Sequence, residues 1–330
     1  MTWLDPAPFL RGTAWRDGER AVRADPGDLE RLPWDTAERA ALPIGVRLEF
    51  VSSGARAVEV RYRAATPGPR DGERELPDCF ALWEGDRCVR EVLADPAGEQ
   101  VVRIGLPPSH GPFTVHPPEA RSPVVLGLRA VGGTVAPAPR RPRWLVHGDS
   151  ITEGWWSTRP AHAWPAVAGR ALGVDTVNLG YAGCGRGELP VAQQLATLPG
   201  DLLTLAFGTN CWSRVPHTPG LLYETTRAFV ALVRRGHPDA PLLLLSPVLR
   251  PGAESEPNEL GATLGELRTA MEEAGRDLVA AGDSRLAVLP GRDLLRAEHL
   301  ADGLHPDDEG HALIGAAAAK ALNTLVGRTG

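Results

Sequence analysis

The sequence predicts two architectures in one chain: a β-sandwich of jelly-roll type, then an α/β domain built on a parallel sheet. Three observations predict it. Apolar residues alternate with a period of two in the first part of the chain, with no helical periodicity between the strands; a stretch rich in Gly and Pro follows at Gly132 to Pro142; and beyond it apolar runs alternate with amphipathic stretches. Short strands in succession bury their apolar faces by closing as a sandwich or jelly roll, whereas strand and helix in alternation imply a parallel sheet covered on both faces.

Val46, Leu48 and Phe50 share one face of a strand, and after the turn-forming Ser52-Ser53-Gly54 the segment Val58 to Tyr62 repeats the pattern, so the pair is expected to form an antiparallel hairpin. Phe80 to Trp83 and Arg87 to Val92, joined by Glu84-Gly85-Asp86, predict a second hairpin, and Val101 to Leu106 and Val124 to Ala130 add further strands. The expected division is a β-sandwich domain over 1–135, a linker over 136–143 and an α/β domain over 144–330. In the last of these, strands are predicted at 144–146, 174–179, 202–207, 242–245 and 286–289, with helices at 164–172, 189–198, 221–235, 258–281 and 309–326.

Composition narrows the function. The 330 residues carry 35 basic and 41 acidic side chains, a formal charge of −6, with 43% hydrophobic and 23% charged residues. These are globular proportions, and a net acidic chain lacks the electrostatic footprint that nucleic acid binding requires. The four cysteines, Cys79, Cys88, Cys184 and Cys211, are scattered and include no C-x-x-C pair, so buried free thiols are expected rather than a disulfide scaffold or a zinc site. No apolar run has the length of a membrane span, and the first residues lack a basic segment followed by an uninterrupted apolar one. A cytoplasmic protein without a membrane partner is the expectation; oligomeric state is not legible.

Parallel sheets place ligand sites outside the carboxyl ends of their strands. After the first predicted strand of the second domain comes Gly148-Asp149-Ser150, which puts a serine hydroxyl at a strand-to-helix turn; an N-cap serine, with Asp149 and Glu153 complementing the helix dipole, reads the same way. After the second comes Asn178-Leu179-Gly180-Tyr181-Ala182-Gly183, whose glycines expose N–H groups for an anion or simply form a turn. The glycines that continue this loop give only weak support to a dinucleotide-binding reading, because Gly183-Cys184-Gly185 lacks the continuation to a third glycine and no acidic residue closes a following strand. Gly208-Thr209-Asn210 follows the third run, its amide either a donor to a developing oxyanion or a turn-forming Asn. Asp302-Gly303-Leu304-His305-Pro306 follows the last, where an aspartate three residues before a histidine can orient the imidazole; Asp307 or Asp308 can cap the helix, and His311 reads as a side chain of its first turn. Together these fragments supply a nucleophile, oxyanion donors and an oriented base.

In order and wording the four blocks resemble the SGNH/GDSL hydrolase superfamily. The resemblance implies a flavodoxin-like three-layer fold and ester hydrolysis without metal or cofactor. It assigns Ser150, His305 and Asp302 as catalytic and the Ser150 and Gly183 amides with the Asn210 side chain as the oxyanion hole. A β-domain ahead of such a unit is similar to the bimodular carbohydrate esterases that remove acetyl groups from sugars. Two positions depart from the family pattern: Cys211 stands where many relatives carry aspartate, and His147 where an apolar residue is usual. Trp155, Trp156 and Trp212 are candidate walls for a sugar ring or acyl group, with core packing an equal alternative; Cys184 and Cys211 read as small apolar packing. The expected activity is that of a serine esterase acting through an acyl-enzyme on a small O-acyl ester, an O-acetyl ester of a sugar or glycosylated metabolite. An acyltransferase using the same residues is the alternative enzyme, and a catalytically silent glycan-binding protein the alternative from another class.

Overall fold

The computed structural model of the chain describes residues 2–64, 78–95 and 98–327. The chain forms two compact units, one of Met1–Pro26, Ala41–Arg141 and Arg159–Ala161, the other of Gly27–Ala40, Pro142–Thr158 and His162–Gly330.

The first unit holds β1 (Leu10–Arg11), β2 (Trp15–Asp17), β3 (Arg20–Val22), β4 (Arg47–Ser53), β5 (Ala57–Ala64), β6 (Cys79–Glu84), β7 (Arg87–Leu93), β8 (Gly98–Gly105), β9 (Phe113–His116), β10 (Val124–Val131) and β11 (Thr134–Pro137). One antiparallel sheet runs β1-β4-β9-β6-β7 with β11 added on β4, a second runs β10-β5-β8, and β2-β3 is a separate ribbon. Leu48 and Phe50 of the first sheet share one core with Val58, Val60 and Tyr62 of the second, together with Phe80, Leu82, Ile104 and Phe113. That common core is the sandwich the alternation predicts.

Two expectations are corrected here. β4 and β5 are not a hairpin: β4 pairs with β1, β9 and β11, and β5 with β8 and β10. Both strands are apolar on one face, and crossing from sheet to sheet lets the two faces cover each other, which lying side by side would not. Ala136 and Pro137, expected as the first residues of the linker, instead complete β11, in which Pro137 sits opposite Phe50. Proline is tolerated there because the strand is an edge and its missing N–H is not needed by a further neighbour. The second expected hairpin is present as β6 and β7.

The second unit begins with α1 (Trp34–Ala40) and continues through β12 (Arg143–Gly148), α2 (Ser150–Glu153), α3 (Trp164–Leu172), β13 (Asp175–Gly180), α4 (Leu189–Leu195), β14 (Leu202–Ala206), α5 (Asn210–Ser213), α6 (Pro219–Gly236), β15 (Leu242–Leu245), α7 (Leu264–Ala280), β16 (Leu286–Leu289) and α8 (Asp308–Gly327). Its five strands are parallel in the order β13-β12-β14-β15-β16, a flavodoxin-like winding. Along β12, Trp144 and Val146 pack with Trp164 and Ala168 of α3 and with Ile314 and Ala318 of α8. His147 points to the other face, stacked on Phe229 of α6 with ring centres 5.2 Å apart. Helices therefore cover both faces. α7 starts at Leu264 rather than at Asn258 because Thr263 and Glu266 form a reciprocal capping box. The Asn258 amide instead closes the preceding loop, donating to His217 O at 2.9 Å and accepting from the Ala262 N–H at 3.0 Å. Among the described residues, no helix is long and apolar enough to cross a membrane.

Candidate active site

The switch in winding at β12 opens a crevice at the carboxyl ends of β12 and its neighbours, and α2 begins there. Asp149 is its N-cap, accepting from the Ile151 N–H at 2.9 Å. The turn is tight: a Cβ on Gly148 would lie 2.1 Å from Thr152 Oγ1 and 2.3 Å from Ala206 O, so only glycine lets α2 come this close to the sheet. Ser150, 5% exposed, follows as the first helical residue. Asn178 fastens the next strand to the same helix, donating to Thr152 O at 2.8 Å.

His305 reaches this point from the loop before α8. Its Nε2 lies 2.9 Å from Ser150 Oγ and its Nδ1 2.7 Å from Asp302 Oδ2. The carboxylate makes Nδ1 the protonated nitrogen and leaves Nε2 to accept from the serine hydroxyl. Asp302 also accepts from the Leu304 and His305 amides at 3.0 and 2.7 Å. Partial burial raises its pKa, but the hydrogen bonds and charge of His305 outweigh that and hold the carboxyl below its ordinary range.

The donors expected opposite this chain of groups come from the next two strand ends. Gly183 has φ +77°, a left-handed conformation open to glycine. Asn210 opens α5, nearly buried, and one Nδ2 hydrogen goes to Cys184 O at 2.6 Å. That bond fixes the amide plane and leaves its second hydrogen free to donate. Cys184 and Cys211 are buried, and burial pushes the Cys184 thiol up to about 12 and raises Cys211 as well. Neither is a nucleophile in that state.

Trp155 stacks on His305, ring centres 5.4 Å apart and planes 29° from parallel. Among the described residues, no hydrogen bond or ring contact joins Trp156 or Trp212 to Ser150 or His305. Trp156 is partly exposed with φ +64°, and Trp212 donates to Glu256 O at 2.9 Å beneath the guanidinium of Arg250.

The structure adds Arg39 to the site and gives Glu153 and His311 partners that the sequence does not show. Glu153 is buried; it accepts from the Trp155 Nε1–H at 3.1 Å and the Ala182 N–H at 2.9 Å and pairs with Arg39 of α1. Arg39 also lies 5.7 Å from the centre of the Trp155 ring. His311 is fully buried, accepting from the Trp164 N–H through Nδ1 at 3.2 Å and donating through Nε2 to Trp155 O at 2.9 Å. Trp155 is thus held by its backbone and its indole while its face supports His305. The faint signal for α1 was Pro33 followed by Asp35, a helix start. Nothing in the sequence tied it to the second unit. Among the described residues, no group of three or more His, Cys, Asp or Glu is arranged to hold a metal ion.

Residues 146–313 match the family model described as GDSL-like lipase/acylhydrolase, just over half of the chain. The chain belongs to this family. No curated protein matches this GDSL-family chain in sequence. Among solved structures it is similar to a salicylyl-acyltransferase from a tetracycline biosynthetic pathway, with 22% identity, a TM-score of 0.84 and coverage of 98% of this chain and 97% of that one. A putative GDSL-like lipase from Bacteroides ovatus is similar at 19% identity and a TM-score of 0.78 over 99% and 98%. A family two carbohydrate esterase from Clostridium thermocellum aligns at 15% identity and a TM-score of 0.64 over 86% and 92%. At such identities the likeness is one of fold: a β-rich N-terminal part ahead of the GDSL unit.

Proposed function

We propose that the protein is a serine esterase that hydrolyses a small O-acyl ester, an O-acetyl ester of a sugar or glycosylated metabolite, through an acyl-enzyme intermediate. The observation that carries the reading is the 2.9 Å contact between Ser150 Oγ and His305 Nε2, with Asp302 on the other ring nitrogen. In this reading His305 takes the hydroxyl proton as Ser150 attacks the carbonyl, Asp302 holds the tautomer and stabilises the imidazolium, and the same proton passes to the leaving alcohol. The Ser150 and Gly183 amides and the second Asn210 hydrogen receive the oxyanion. Water activated by His305 then releases the acyl group. A cytoplasmic location is part of the proposal, supported by four cysteines that stand free.

The test is hydrolysis of p-nitrophenyl esters from acetate to octanoate by the wild type and by Ser150→Ala, with fluorophosphonate labelling at Ser150. Turnover that prefers acetate and disappears in the variant is expected; a Ser150→Ala protein as active as the wild type would remove the mechanism. A second reading, transfer of the acyl group to an alcohol or amine in place of water, is favoured by the near full-length likeness to the salicylyl-acyltransferase. Product analysis with and without candidate acceptors separates the two, since a transferase forms the new ester or amide at the expense of free acid.

A further inference from the structure

Two arginines stand at the mouth of the site, and neither has a role in the chemistry above. Arg214 follows α5, the helix that Asn210 opens, and its side chain passes over Gly183, with Nε 4.0 Å from where a Cβ on that glycine would stand. Arg250 comes from the loop after β15. Its guanidinium lies 4.6 Å from the centre of the Trp212 ring, and its Nη1 donates to Ser213 Oγ at 3.2 Å. The loop is fixed from below by buried Arg268, which donates to Pro247 O at 2.6 Å and to Val248 O at 3.3 Å.

Among the described residues, neither Arg214 nor Arg250 has a carboxylate within ion-pair reach, although Arg39, Arg186, Arg234 and Arg268 of the same unit each hold one. Burial lowers the pKa of Arg250; the charges of Asp302 and Asp149 oppose this and that of Arg214 adds to it. A half-buried guanidinium, held over an indole and next to a second cation, is short of negative charge. Guanidinium groups bind carboxylates and phosphates through paired N–H donors in a planar fork.

We propose that Arg214 and Arg250 form an anion-binding rim beside Ser150, so that the preferred ester carries a carboxylate or phosphate close to its scissile bond. The inference rests on the esterase reading for where the ester lies, and it adds a charge to the substrate class. Neutral sugar acetates would enter the site without using the rim.

The test compares three acetyl esters of similar shape: 4-acetoxybenzoate, 4-acetoxyphenyl phosphate and the uncharged methyl 4-acetoxybenzoate. Binding is measured by calorimetry on Ser150→Ala protein and turnover on the wild type. At least one anionic ester is expected to bind about tenfold or more tightly than the methyl ester, the benzoate and phosphate arms distinguishing which anion fits. That ratio is expected to fall about tenfold when Arg214→Gln or Arg250→Gln is added, and to shrink between about 0.05 and 0.5 M NaCl. Equal binding of charged and uncharged esters, or a preference that survives both substitutions, overturns the proposal. Turnover of all three esters without an anionic preference would leave the esterase standing without the rim. An anionic preference in binding with no turnover of any ester would leave the rim standing and remove the esterase.

Discussion

His305 is held at both ring nitrogens and on one face, by Ser150, Asp302 and Trp155. The face contact separates two roles for Trp155. A tryptophan that lines the substrate changes KM when removed, whereas one that holds the imidazole in line with Ser150 changes kcat. Trp155→Leu is expected to lower kcat about tenfold with KM little moved, as expected from a small misplacement of a catalytic group. Trp155→Phe, which keeps a ring against His305 and gives up the bond to Glu153, is expected to recover most of the loss. Steady-state kinetics on p-nitrophenyl acetate decide it, and a rise in KM with kcat intact would return Trp155 to the pocket wall. In the proposed mechanism Asn210 donates to the oxyanion, so Asn210→Ala is expected to cost about 10² to 10³ in kcat, or roughly 3 to 4 kcal/mol. Removing the amide also leaves Cys184 O without its donor. Thermal melting of the variant therefore accompanies the kinetics, to separate lost stability from lost catalysis. The placement of Ser150 and Asn210 at strand ends was legible from sequence because each lies in a short polar block directly after an apolar run. The stacking of Trp155 was not, since the contact depends on the path of a loop 150 residues further on (His305 − Trp155 = 150).

Among the elements, α1 is the one whose position the sequence concealed. Its residues lie in the stretch read as β-sandwich, yet they belong to the second unit, where Arg39 neutralises Glu153 and Asp35 holds Arg186 at 2.9 Å. Local pattern reports a strand or a helix, but it carries no information on which distant sheet a seven-residue helix joins. The strand-to-strand alternation failed for the same reason: β4 and β5 were each read correctly, and their pairing was not. The Arg39–Glu153 pair sets an element-scale prediction. Arg39→Met strands a buried carboxylate, at an expected cost of about 3 to 5 kcal/mol, while Arg39→Met with Glu153→Gln is expected to recover part of it, because the charge is gone and the amide oxygen still accepts from one of the two N–H groups, Ala182 and Trp155, that the carboxylate oxygens serve separately. Urea denaturation of both variants checks this, and a double variant no more stable than the single one would count against it. At the start of α8, the Asp307 side chain caps the helix by accepting from the Gly310 N–H at 2.8 Å, and Asp308 turns instead to Thr158 and His162. Burial raises the Asp308 pKa, but hydrogen bonds from His162 and Thr158 bring it down to about 2. A carboxyl depressed in the fold stabilises above its unfolded value and loses that contribution as pH falls toward 2. Asp308→Asn is therefore expected to destabilise at pH 6 by about 1 kcal/mol, discounted because the side chain is partly exposed, and by progressively less below pH 4.

Across the whole molecule the order of the two architectures was legible because the period of the apolar pattern changes from two to that of strand–helix units at one place in the chain. The same scale contains a conflict between stability and the site. Asp149 is fully buried, and burial pushes its carboxyl up to about 7 against the opposing hydrogen bonds of Ile151, Thr152 and its own amide and the charge of Arg250. A folded-state pKa raised above the unfolded value means that this carboxyl favours the fold most below pH 4 and that the contribution is lost as pH rises to about 7. The charged form at neutral pH is thus a liability retained next to Ser150. Asp149→Asn keeps an N-cap acceptor for the Ile151 N–H and removes the charge, so the variant is expected to gain stability over the wild type at pH 8, on the order of a few kcal/mol, and to gain nothing at pH 4. All eight described α-helices lie in the second unit, so ellipticity at 222 nm during urea unfolding follows that unit selectively. A gain at pH 8 accompanied by reduced turnover would mean that stability is given up at Asp149 to serve the chemistry at Ser150. The same gain at pH 4 and pH 8 would mean that the cap itself, and not the buried charge, is the source of the effect.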